Sequence, residues 1–482
     1  MNGGMTFAVL KRAEALAAVC PQVLVFTYGF HRDFAGCVQH WKNSLENSEN
    51  LHFINLFEGS GLSQREPNSI GPDEHVIKDP KNPGGQRVFT NGVYSRYEKR
   101  DALGCLDFVD YFQAPWTRVK KDVYSRSGHP LVTHYMDKAT NKISYSTYQD
   151  PQGKPIYSVK VNPESGKPTS YFCFLDYAEG RECRSLEEVV GIWLVRELQH
   201  LVRVVLFADK REFAGVFAEI PAERRVFCFH STHLEYPSED RDSLHPTLNG
   251  LKVNLGAFDQ IISLTESQSE DLRRTFGLSR REVVTIPHPQ KEIPQAEQQP
   301  IDFYNQKVTS VARYHSAKNL KDAIRAFALV LEEFPDATYD IYGYGPEKQA
   351  LQELIDELQI GDAVKLRGFV QNTHAVYRDS CVTILSSQYE GQPLVLGESM
   401  AVGVPVVAYD CNYGPRDVIR NNVDGILVRK HDVAGLAEGI KKILRDPSFR
   451  RELSTRAREV STRFSESKYR EELVTRVLAG KD

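Results

Sequence analysis

The chain has 482 residues, of which 26% are charged and 41% are hydrophobic, a balance typical of an ordinary globular protein. At about 150 residues per domain, this length indicates roughly three structural units. The composition excludes collagenous, coiled-coil and disordered classes, and a net charge of −4 from 60 Lys and Arg against 64 Asp and Glu argues against a dedicated nucleic-acid binder.

The first 77 residues alternate helix and strand, as is typical of an α/β domain. Apolar residues recur at helical spacing over Met5–Val19, and β-branched and aromatic runs at Val23–Thr27 and Leu51–Phe57 predict buried strands. The pair Gly3-Gly4 stands directly before the helix, where such a pair usually follows a strand, and no strand precedes it in this sequence. Residues 1–77 are predicted to be the first part of a Rossmann-like N-terminal domain.

Residues 78–180 have a different pattern, in which Tyr, Val, Ser and Thr alternate with charged residues. Turn signals begin at Gly128, Asn141, Gly153 and Gly166, at spacings of 13, 12 and 13 residues. This rhythm of strand and turn predicts an antiparallel β-meander inserted in the N-terminal half. The exposed edges of such a sheet favour oligomerisation or binding of a long acceptor, and the alternative is a surface flap without either role.

The α/β pattern returns in residues 181–300, the predicted second part of the N-terminal domain. Val189–Ala208 reads as an amphipathic helix that runs into a strand, because charged residues interrupt its apolar run. Further strands are predicted at Arg225–Phe229 and Gln260–Leu264. Lys291–Pro300 is rich in Pro, Gln and Glu and is predicted to be a linker.

Residues 301–460 alternate strands with helices and are predicted to form a second Rossmann-like domain, followed by a C-terminal helix in 461–482. A parallel sheet follows because the connections are helical crossovers. The predicted strands are Val308–Ala312, Ala337–Tyr342, Val364–Leu366, Val382–Leu385, Val406–Ala408 and Ile426–Val428. Ligands of such sheets bind beyond the carboxyl ends of the strands, so the two Rossmann-like domains are expected to face one cleft.

Cysteine usage and hydropathy indicate a cytoplasmic protein. The eight cysteines form no C-x-x-C pair and are dispersed over the chain, as expected of reduced buried thiols rather than a zinc ribbon or a disulfide scaffold. No stretch reaches 18 uninterrupted apolar residues and no signal peptide is visible. At most, we expect peripheral association with the inner face of a membrane.

Two cations follow the strand at Val308. Arg313 and Lys318 are five residues apart at the expected mouth of the sheet, where they are able to neutralise a diphosphate. The alternative interpretation is a pair of surface cations engaged in salt bridges.

Two carboxylates follow the strand at Val382, eight residues apart. Glu390 lies in the loop, and Glu398 lies in the first turns of the next helix. The start of that helix predicts an anion site built from backbone N–H groups, to which Pro393 cannot contribute. The donors expected there are those of Gly391, Gln392 and Leu394. A carboxylate beside a phosphate repels it, so Glu398 and Glu390 are expected to accept hydrogen bonds from ribose and sugar hydroxyls.

Other strand ends add candidates. His230 follows a strand of the N-terminal half and has either a structural role or a role in the cleft. The backbone around Val370 is able to seat a nucleotide base, and Gly343–Glu347 is expected to open a helix with Pro346 near its first position.

Asp240–Asp242 resembles a metal-binding D-x-D, but its polar loop favours a solvated charge run, so no metal is predicted. The chain has no G-x-G-x-x-G after a strand and no P-loop motif.

Together these residues resemble the retaining GT-B glycosyltransferases of the family 4 type. The resemblance rests on Arg313 and Lys318, on the E-x7-E pair Glu390 and Glu398, and on the Gly3–Thr6 loop. The sequence Tyr389–Leu394 around the first glutamate, the Tyr413–Pro415 turn and the β-meander make the chain similar to the wall teichoic acid α-glycosyltransferases of Gram-positive bacteria, which modify poly(glycerol-phosphate) or poly(ribitol-phosphate).

The resemblance implies a GT-B fold and a UDP-sugar donor, UDP-glucose or UDP-N-acetylglucosamine, with no metal and no other cofactor. Arg313 and Lys318 would hold the diphosphate, Glu398 the ribose and Glu390 the transferred sugar, while His230 would lie near that sugar. The remaining donor contacts would come from Gly4, Val370, Tyr389, Gly391, Gln392 and Leu394. Transfer would retain the anomeric configuration by a front-face path, with the leaving phosphate helping to deprotonate the acceptor.

The acceptor is less firmly indicated than the donor. A polyol-phosphate polymer is favoured by the Tyr413–Pro415 turn, and the alternative is Ser or Thr of a serine-rich surface protein, since enzymes of that kind share the β insertion. A third reading is a catalytically inactive partner subunit, although such a subunit would be expected to have lost the donor residues. The transferred sugar and the choice of glycerol or ribitol phosphate stay open, and the meander predicts a homo-oligomer such as a trimer.

Overall fold

The computed structural model describes residues 4–57, 70–113, 116–175, 180–236, 243–293 and 301–479. The chain divides into two compact units, each of which is described by itself. The first contains Met1–Leu16, Val205–Gly215 and Arg224–Asp482, and the second contains Ala17–Val204 and Val216–Glu223. This division does not test the predicted boundaries after residues 77, 180, 300 and 460, which stay predictions.

The strands of the described residues belong to four sheets. In chain order, and separated by sheet, they are β1 Val23–Thr27 and β2 Leu51–Asn55; β3 Glu74–Lys78, β4 Gly85–Thr90, β5 Val93–Arg100, β6 Leu106–Gln113, β7 Thr117–Tyr124, β8 Pro130–Met136, β9 Ile143–Gln149, β10 Pro155–Val161, β11 Pro168–Cys173 and β12 Arg181–Cys183; β13 Val205–Ala208, β14 Arg224–Cys228, β15 Gln260–Ser263 and β16 Val283–Thr285; and β17 Lys307–Val311, β18 Thr338–Tyr342, β19 Val364–Gly368, β20 Val382–Leu385, β21 Val406–Tyr409 and β22 Gly425–Val428.

The helices lie before, between and after these strands. They are α1 Gly4–Ala17, α2 Phe34–Asn43, α3 Leu186–Leu198, α4 Ala214–Glu219, α5 Asn249–Val253, α6 Glu266–Phe276, α7 Leu320–Leu331, α8 Lys348–Glu357, α9 Thr373–Arg378, α10 Leu394–Ala401, α11 Pro415–Val418, α12 Val433–Arg445, α13 Pro447–Ala457, α14 Val460–Arg463 and α15 Glu466–Glu472. The last continues into a π-helical segment, Leu473–Leu478.

The second unit contains the predicted meander. Within its described residues, β3 to β12 form one antiparallel sheet in which every strand pairs with its neighbour in sequence. The four predicted turn positions all adopt positive φ, at Gly128 (84°), Asn141 (54°), Gly153 (85°) and Gly166 (68°), a conformation that Gly and Asn tolerate. The meander prediction is confirmed, and the sheet extends past the predicted run of strands at both ends.

The first unit contains two parallel sheets. Strands β13 to β16 pair in sequence order, whereas the six-stranded sheet has the order β19-β18-β17-β20-β21-β22. Each strand predicted for residues 301–460 is present within one or two residues of its expected bounds, because buried β-branched runs leave little ambiguity. The strand order reverses between β17 and β20, so the helices that follow these two strands go to opposite faces of the sheet and leave a crevice at the carboxyl ends of the strands.

Helix α7 illustrates how the sequence builds this core. Its residues at spacings of three and four are buried, whereas Arg325 is exposed. The buried set is Leu320, Ala323, Ile324, Ala326, Phe327 and Val330. Phe327 packs 5.2 Å from the ring of Tyr339 on β18. Complete burial of one such aromatic or aliphatic side chain stabilises the fold by about 1.5–3 kcal/mol, which fixes the helix against the sheet.

Several details differ from the sequence predictions. Helix α8 begins at Lys348 with Glu347 as its N-cap, so Pro346 precedes the helix rather than occupying its first position. Gly343 (φ 151°) and Gly345 (φ 155°) precede this helix, and a Cβ at either position would collide with the carbonyl oxygen of Ala312 or Tyr314, respectively. Gly3, the D-x-D at Asp240–Asp242 and residues 294–300 of the predicted linker lie outside the described residues.

Candidate active site

Loops from three strand ends meet beside the crevice between β17 and β20. The backbone N–H of Gln388, after β20, donates to the carbonyl of Ala317, after β17, at 2.8 Å. The N–H of Glu390 donates to Asn412, after β21, at 3.1 Å. The hydroxyl of Ser386 donates to the carbonyl of Lys318 at 3.0 Å. These bonds fix the two predicted site residues, Lys318 and Glu390, relative to each other.

Lys318 and Glu390 form an ion pair at this junction. The ammonium donates to Glu390 Oε1, which also accepts the hydroxyl of Ser387 at 2.6 Å. The side chains are 21% and 11% exposed. A charge-assisted hydrogen bond of low solvent exposure orients both groups, and an incoming diphosphate would compete with Glu390 for the ammonium. The pair therefore supplies an anion-binding cation together with a carboxylate that is able to accept from a hydroxyl.

Arg313 lies two residues past the end of β17 and is exposed. Its side chain makes no hydrogen bond or ion pair with any residue that the structure describes. Arg313 therefore does not form, with the described residues, the surface salt bridge of the alternative interpretation. The guanidinium has five N–H donors and keeps its charge at all physiological pH values, so it suits a diphosphate.

Glu398 lies in the second turn of α10, as predicted, but its carboxylate already accepts two hydrogen bonds. The hydroxyl of Thr373 donates to Oε2 at 3.3 Å and that of Tyr377 at 3.4 Å. Burial raises the pKa of Glu398, and the two hydroxyl donors partly offset this increase. The second oxygen, Oε1, accepts no hydrogen bond from the described residues, and the contact of Glu398 with a ribose stays a prediction. Thr373 and Tyr377 position this carboxylate and carry no sequence motif that would have identified them.

Gly391 allows two loops to approach each other closely. A Cβ at this position would lie 2.9 Å from the carbonyl oxygen of His230 and 3.0 Å from Cα of Ser231, closer than real Cβ atoms come. The neighbouring Gln392 accepts the backbone N–H of His288 through its side-chain oxygen at 2.5 Å. These contacts bring the loop after β20 against the loops that follow β14 and β16.

His230 belongs to a buried network of charged groups. Its Nε2 donates to Asp209 Oδ1 at 2.7 Å, and Asp209 also forms an ion pair with Arg12 of α1. Burial would raise the pKa of Asp209, but the charge of Arg12 and the hydrogen bond from His230 outweigh it and hold that pKa well below its usual range. With Nε2–H donating, the neutral ring presents Nδ1 as an acceptor, and Nδ1 is buried without a partner among the described residues.

His288 stacks on His230, with ring centroids 5.9 Å apart and an interplanar angle of 12°. Burial lowers the pKa of His288 to about 3, and the nearby guanidinium of Arg12 acts in the same direction. His288 therefore stays neutral at physiological pH and packs against the ring of His230 without adding charge.

Comparison with known proteins identifies the domain that holds these residues and the fold of the chain. Residues 293–460, which hold Lys318, Glu390 and Glu398, match the family model for glycosyl transferases group 1. A crystal structure of a variant of S. aureus TarM in complex with Fondaparinux, alpha-GlcNAc-glycerol and UDP superposes with a TM-score of 0.81, at 19% sequence identity, over 98% of this chain and 97% of that chain. The protein therefore has the GT-B fold, and residues 293–460 form a domain of the glycosyl transferases group 1 family.

Two curated relatives of the glycosyltransferase align over nearly the whole chain. The poly(glycerol-phosphate) alpha-glucosyltransferase of Bacillus subtilis is 24% identical, over 97% of this chain and 72% of the relative. The poly(ribitol-phosphate) alpha-N-acetylglucosaminyltransferase of Staphylococcus aureus is 24% identical, over 95% of this chain and 93% of the relative. The pneumococcal O-GlcNAc transferase GtfA, solved in complex with UDP and GlcNAc, has a TM-score of 0.78 at 19% identity, over 98% and 95% of the two chains.

The remaining predicted site residues of the glycosyltransferase lie at or near the ends of helices and strands. Gly4 is the first residue of α1, and Val370 lies two residues past the end of β19. The ring of Tyr389 lies 5.2 Å from that of Tyr236, and Leu394 is the first residue of α10. Their roles as donor contacts stay predictions.

Sequence reasoning missed Arg12, Asp209 and His288 of the glycosyltransferase. Asp209 directly follows a strand, a position that could have marked it, whereas Arg12 looks like an ordinary polar residue of an amphipathic helix. Over the described part of the chain, no cluster of three or more His, Cys, Asp or Glu side chains could hold a metal ion. None of the described helices is both long and apolar enough to span a membrane.

Proposed function

We propose that this glycosyltransferase transfers glucose or N-acetylglucosamine from a UDP-sugar to a hydroxyl of a polyol-phosphate polymer, as in wall teichoic acid. The observation that carries the proposal is the Lys318–Glu390 ion pair beside the crevice between β17 and β20. With Arg313 at the same strand end, two cations are able to compensate the charge that develops on a departing diphosphate.

The proposed reaction retains the anomeric configuration and uses no metal. The bond between C1 of the sugar and the phosphate oxygen breaks, a bond from C1 to the acceptor oxygen forms on the same face, and the acceptor proton passes to the departing UDP. Arg313 and Lys318 stabilise the negative charge of UDP as it develops. Cationic side chains that are already positioned perform this task without solvent reorganisation at the moment of reaction.

The carboxylates and the histidine orient the donor. Glu398 accepts from the ribose hydroxyls, and Glu390 accepts from the transferred sugar once the diphosphate has drawn Lys318 toward itself. His230 accepts a further sugar hydroxyl through Nδ1, while Asp209 fixes its tautomer and ring orientation. Each of these groups acts on position rather than as a covalent nucleophile.

The acceptor assignment draws support from the two polyol-phosphate glycosyltransferases that align with nearly the full length of this chain. Protein Ser or Thr is the second candidate because the fold is also similar to that of GtfA. The relatives differ in the sugar that their names specify, so both donors belong in the first experiment. An inactive partner subunit is disfavoured because the donor residues Arg313, Lys318, Glu390 and Glu398 are all present.

The test is a matrix of donors and acceptors. Purified protein is incubated with UDP-glucose or UDP-N-acetylglucosamine and with poly(glycerol-phosphate), poly(ribitol-phosphate) or a serine-rich peptide, and released UDP and labelled product are measured. We expect transfer to one of the two polyol-phosphate polymers, with an α-linkage by NMR, and undiminished activity in EDTA. Transfer to the peptide alone would replace this proposal with the second candidate.

The meander carries a separate part of the proposal. We propose that it mediates a homo-oligomer, such as a trimer, because β3 and β12 are edge strands of its sheet and Ile77 on β3 is 46% exposed. Light scattering of the purified chain measures the oligomeric mass, and Ile77→Lys should reduce that mass. We further propose that the enzyme acts in the cytoplasm, where UDP-sugars are made, with at most peripheral attachment to the membrane.

A further inference from the structure

A second polar cleft opens beside the Lys318–Glu390 ion pair. It has a volume of about 1030 Å³ and lies at the carboxyl ends of β21 and β22, next to the segment 232–236. Tyr389 and Asn412 are part of its wall, and the carbonyl of Asn412 accepts the N–H of Glu390. A molecule in this cleft would therefore approach within one residue of the carboxylate assigned to the transferred sugar.

The wall of the cleft contains both positive and negative side chains, and they differ in whether they already have a partner. Asp410 accepts two hydrogen bonds from Arg416, at 2.8 and 2.9 Å, and Asp432 accepts the backbone N–H of Gly435 at the start of α12. Arg429 is exposed and has no ion pair or side-chain hydrogen bond with the described residues. The cleft thus offers one unengaged guanidinium among charges that already have partners.

The neutral part of the wall is suited to hydroxyl groups. The rings of Tyr236 and Tyr389 lie 5.2 Å apart on one side. Gln388 is only 9% exposed, and its side-chain oxygen is buried without a hydrogen-bond partner among the described residues. A buried amide oxygen that lacks a donor is costly, so a ligand hydroxyl that donates to it would stabilise both groups.

We infer that this cleft binds the acceptor as a polyol phosphodiester, with Arg429 contacting a phosphate and Gln388 and Tyr236 contacting the polyol. A polyol-phosphate chain carries one negative charge per repeat, separated by neutral hydroxyls. In a cleft whose other charged side chains already have partners, Arg429 next to neutral hydrogen-bonding groups matches that pattern. The inference rests on the proposed function, because it assigns a place to the acceptor of that reaction.

Arg429→Ala tests the phosphate contact. Steady-state kinetics are measured with a polyol-phosphate oligomer and with the corresponding phosphate-free polyol, and UDP affinity is measured by calorimetry. We expect the variant to raise the KM for the phosphorylated acceptor about tenfold, as for the loss of one charge-assisted hydrogen bond, with UDP affinity unchanged. The KM for the neutral polyol should change less than twofold, and Arg429→Lys should recover part of the loss.

Arg451→Ala is the matched control, because Arg451 is also exposed in the first unit but lies on α13, outside the cleft. An unchanged KM in Arg429→Ala, with wild-type enzyme active on the phosphorylated oligomer, overturns the cleft assignment and leaves the proposed function intact. A wild-type enzyme that transfers only to neutral oligosaccharides or peptides overturns both. Tyr236→Ala provides a second measurement: it should raise the KM for both acceptors, and an unchanged value for both would contradict the polyol contact.

Discussion

Replacing Lys318 by alanine removes the ammonium that pairs with Glu390 beside the crevice between β17 and β20. Two effects follow from the geometry. The departing diphosphate loses one charged donor, and the Glu390 carboxylate, 11% exposed, keeps only the hydroxyl of Ser387 as a side-chain partner among the described residues. Loss of one donor to a developing anion costs about 2.7–4 kcal/mol, which is about 10²–10³-fold in kcat.

The ion pair also predicts that substitutions of Lys318 and Glu390 have non-additive effects on activity. Glu390→Ala alone leaves Lys318 without its carboxylate and removes the proposed contact to the sugar. If the two groups act as one unit, the double variant should lose no more activity than the worse single variant. A double-mutant cycle should then give a coupling free energy of about 0.5–3 kcal/mol.

The assay follows UDP release at saturating acceptor, and calorimetry measures UDP affinity in the same samples. Lys365→Ala is the control, since Lys365 is an exposed lysine on β19 and should change kcat less than twofold. A kcat for Lys318→Ala within threefold of wild type, with unchanged UDP affinity, would refute the assignment of Lys318 to the diphosphate.

Three further variants test the surroundings of the site. Gly391→Ala forces a Cβ to within 2.9 Å of the carbonyl of His230; we expect kcat to fall at least tenfold and the melting temperature to drop by several degrees, measured by kinetics and calorimetry. Asp209→Asn removes the carboxylate that fixes the tautomer of His230, and we expect kcat to fall about 10- to 100-fold with an altered pH–rate profile. His288→Gln should flatten the dependence of stability on pH, measured by urea unfolding between pH 7.5 and pH 4.5.

The sign of the pH effect follows from the pKa of His288, which falls from 6.5 to about 3 on folding. Below about pH 6.5 the unfolded chain binds a proton on this imidazole and the folded chain does not. The free energy of unfolding therefore decreases by about 1.4 kcal/mol for each pH unit below that value. Identical pH slopes in wild type and His288→Gln would contradict the buried, neutral state of this ring.

Gly256→Ala is the control for Gly391→Ala, because a Cβ at Gly256 meets no atom within 4 Å. It should leave kcat and the melting temperature unchanged. For Asp209→Asn, the pH–rate profile is measured under conditions in which the variant stays folded, so that a change of the profile reports the positioning of His230 rather than a general loss of folding.

The sequence by itself determined the order and type of most elements. Alternating β-branched runs and amphipathic helices specify βα units, and right-handed crossovers then leave few topologies for a parallel sheet. Because ligands bind at carboxyl strand ends, the sequence also marked Lys318 and Glu390 as candidate site residues, and the structure shows that the two form an ion pair. The meander was predictable for a similar reason, since turn residues at regular intervals define antiparallel neighbours.

Only the tertiary structure decided how distant polar groups combine. Arg12 and Asp209 are separated by 197 residues, and nothing in their local sequence indicates that they pair beneath His230. The hydrogen bonds that Glu398 accepts from Thr373 and Tyr377, and the absence of a partner for Arg429 among the described residues, likewise depend on which loops pack together. Local periodicity reports backbone geometry over a few turns, whereas the partners of a buried charge are chosen by long-range packing, which no short stretch of sequence encodes.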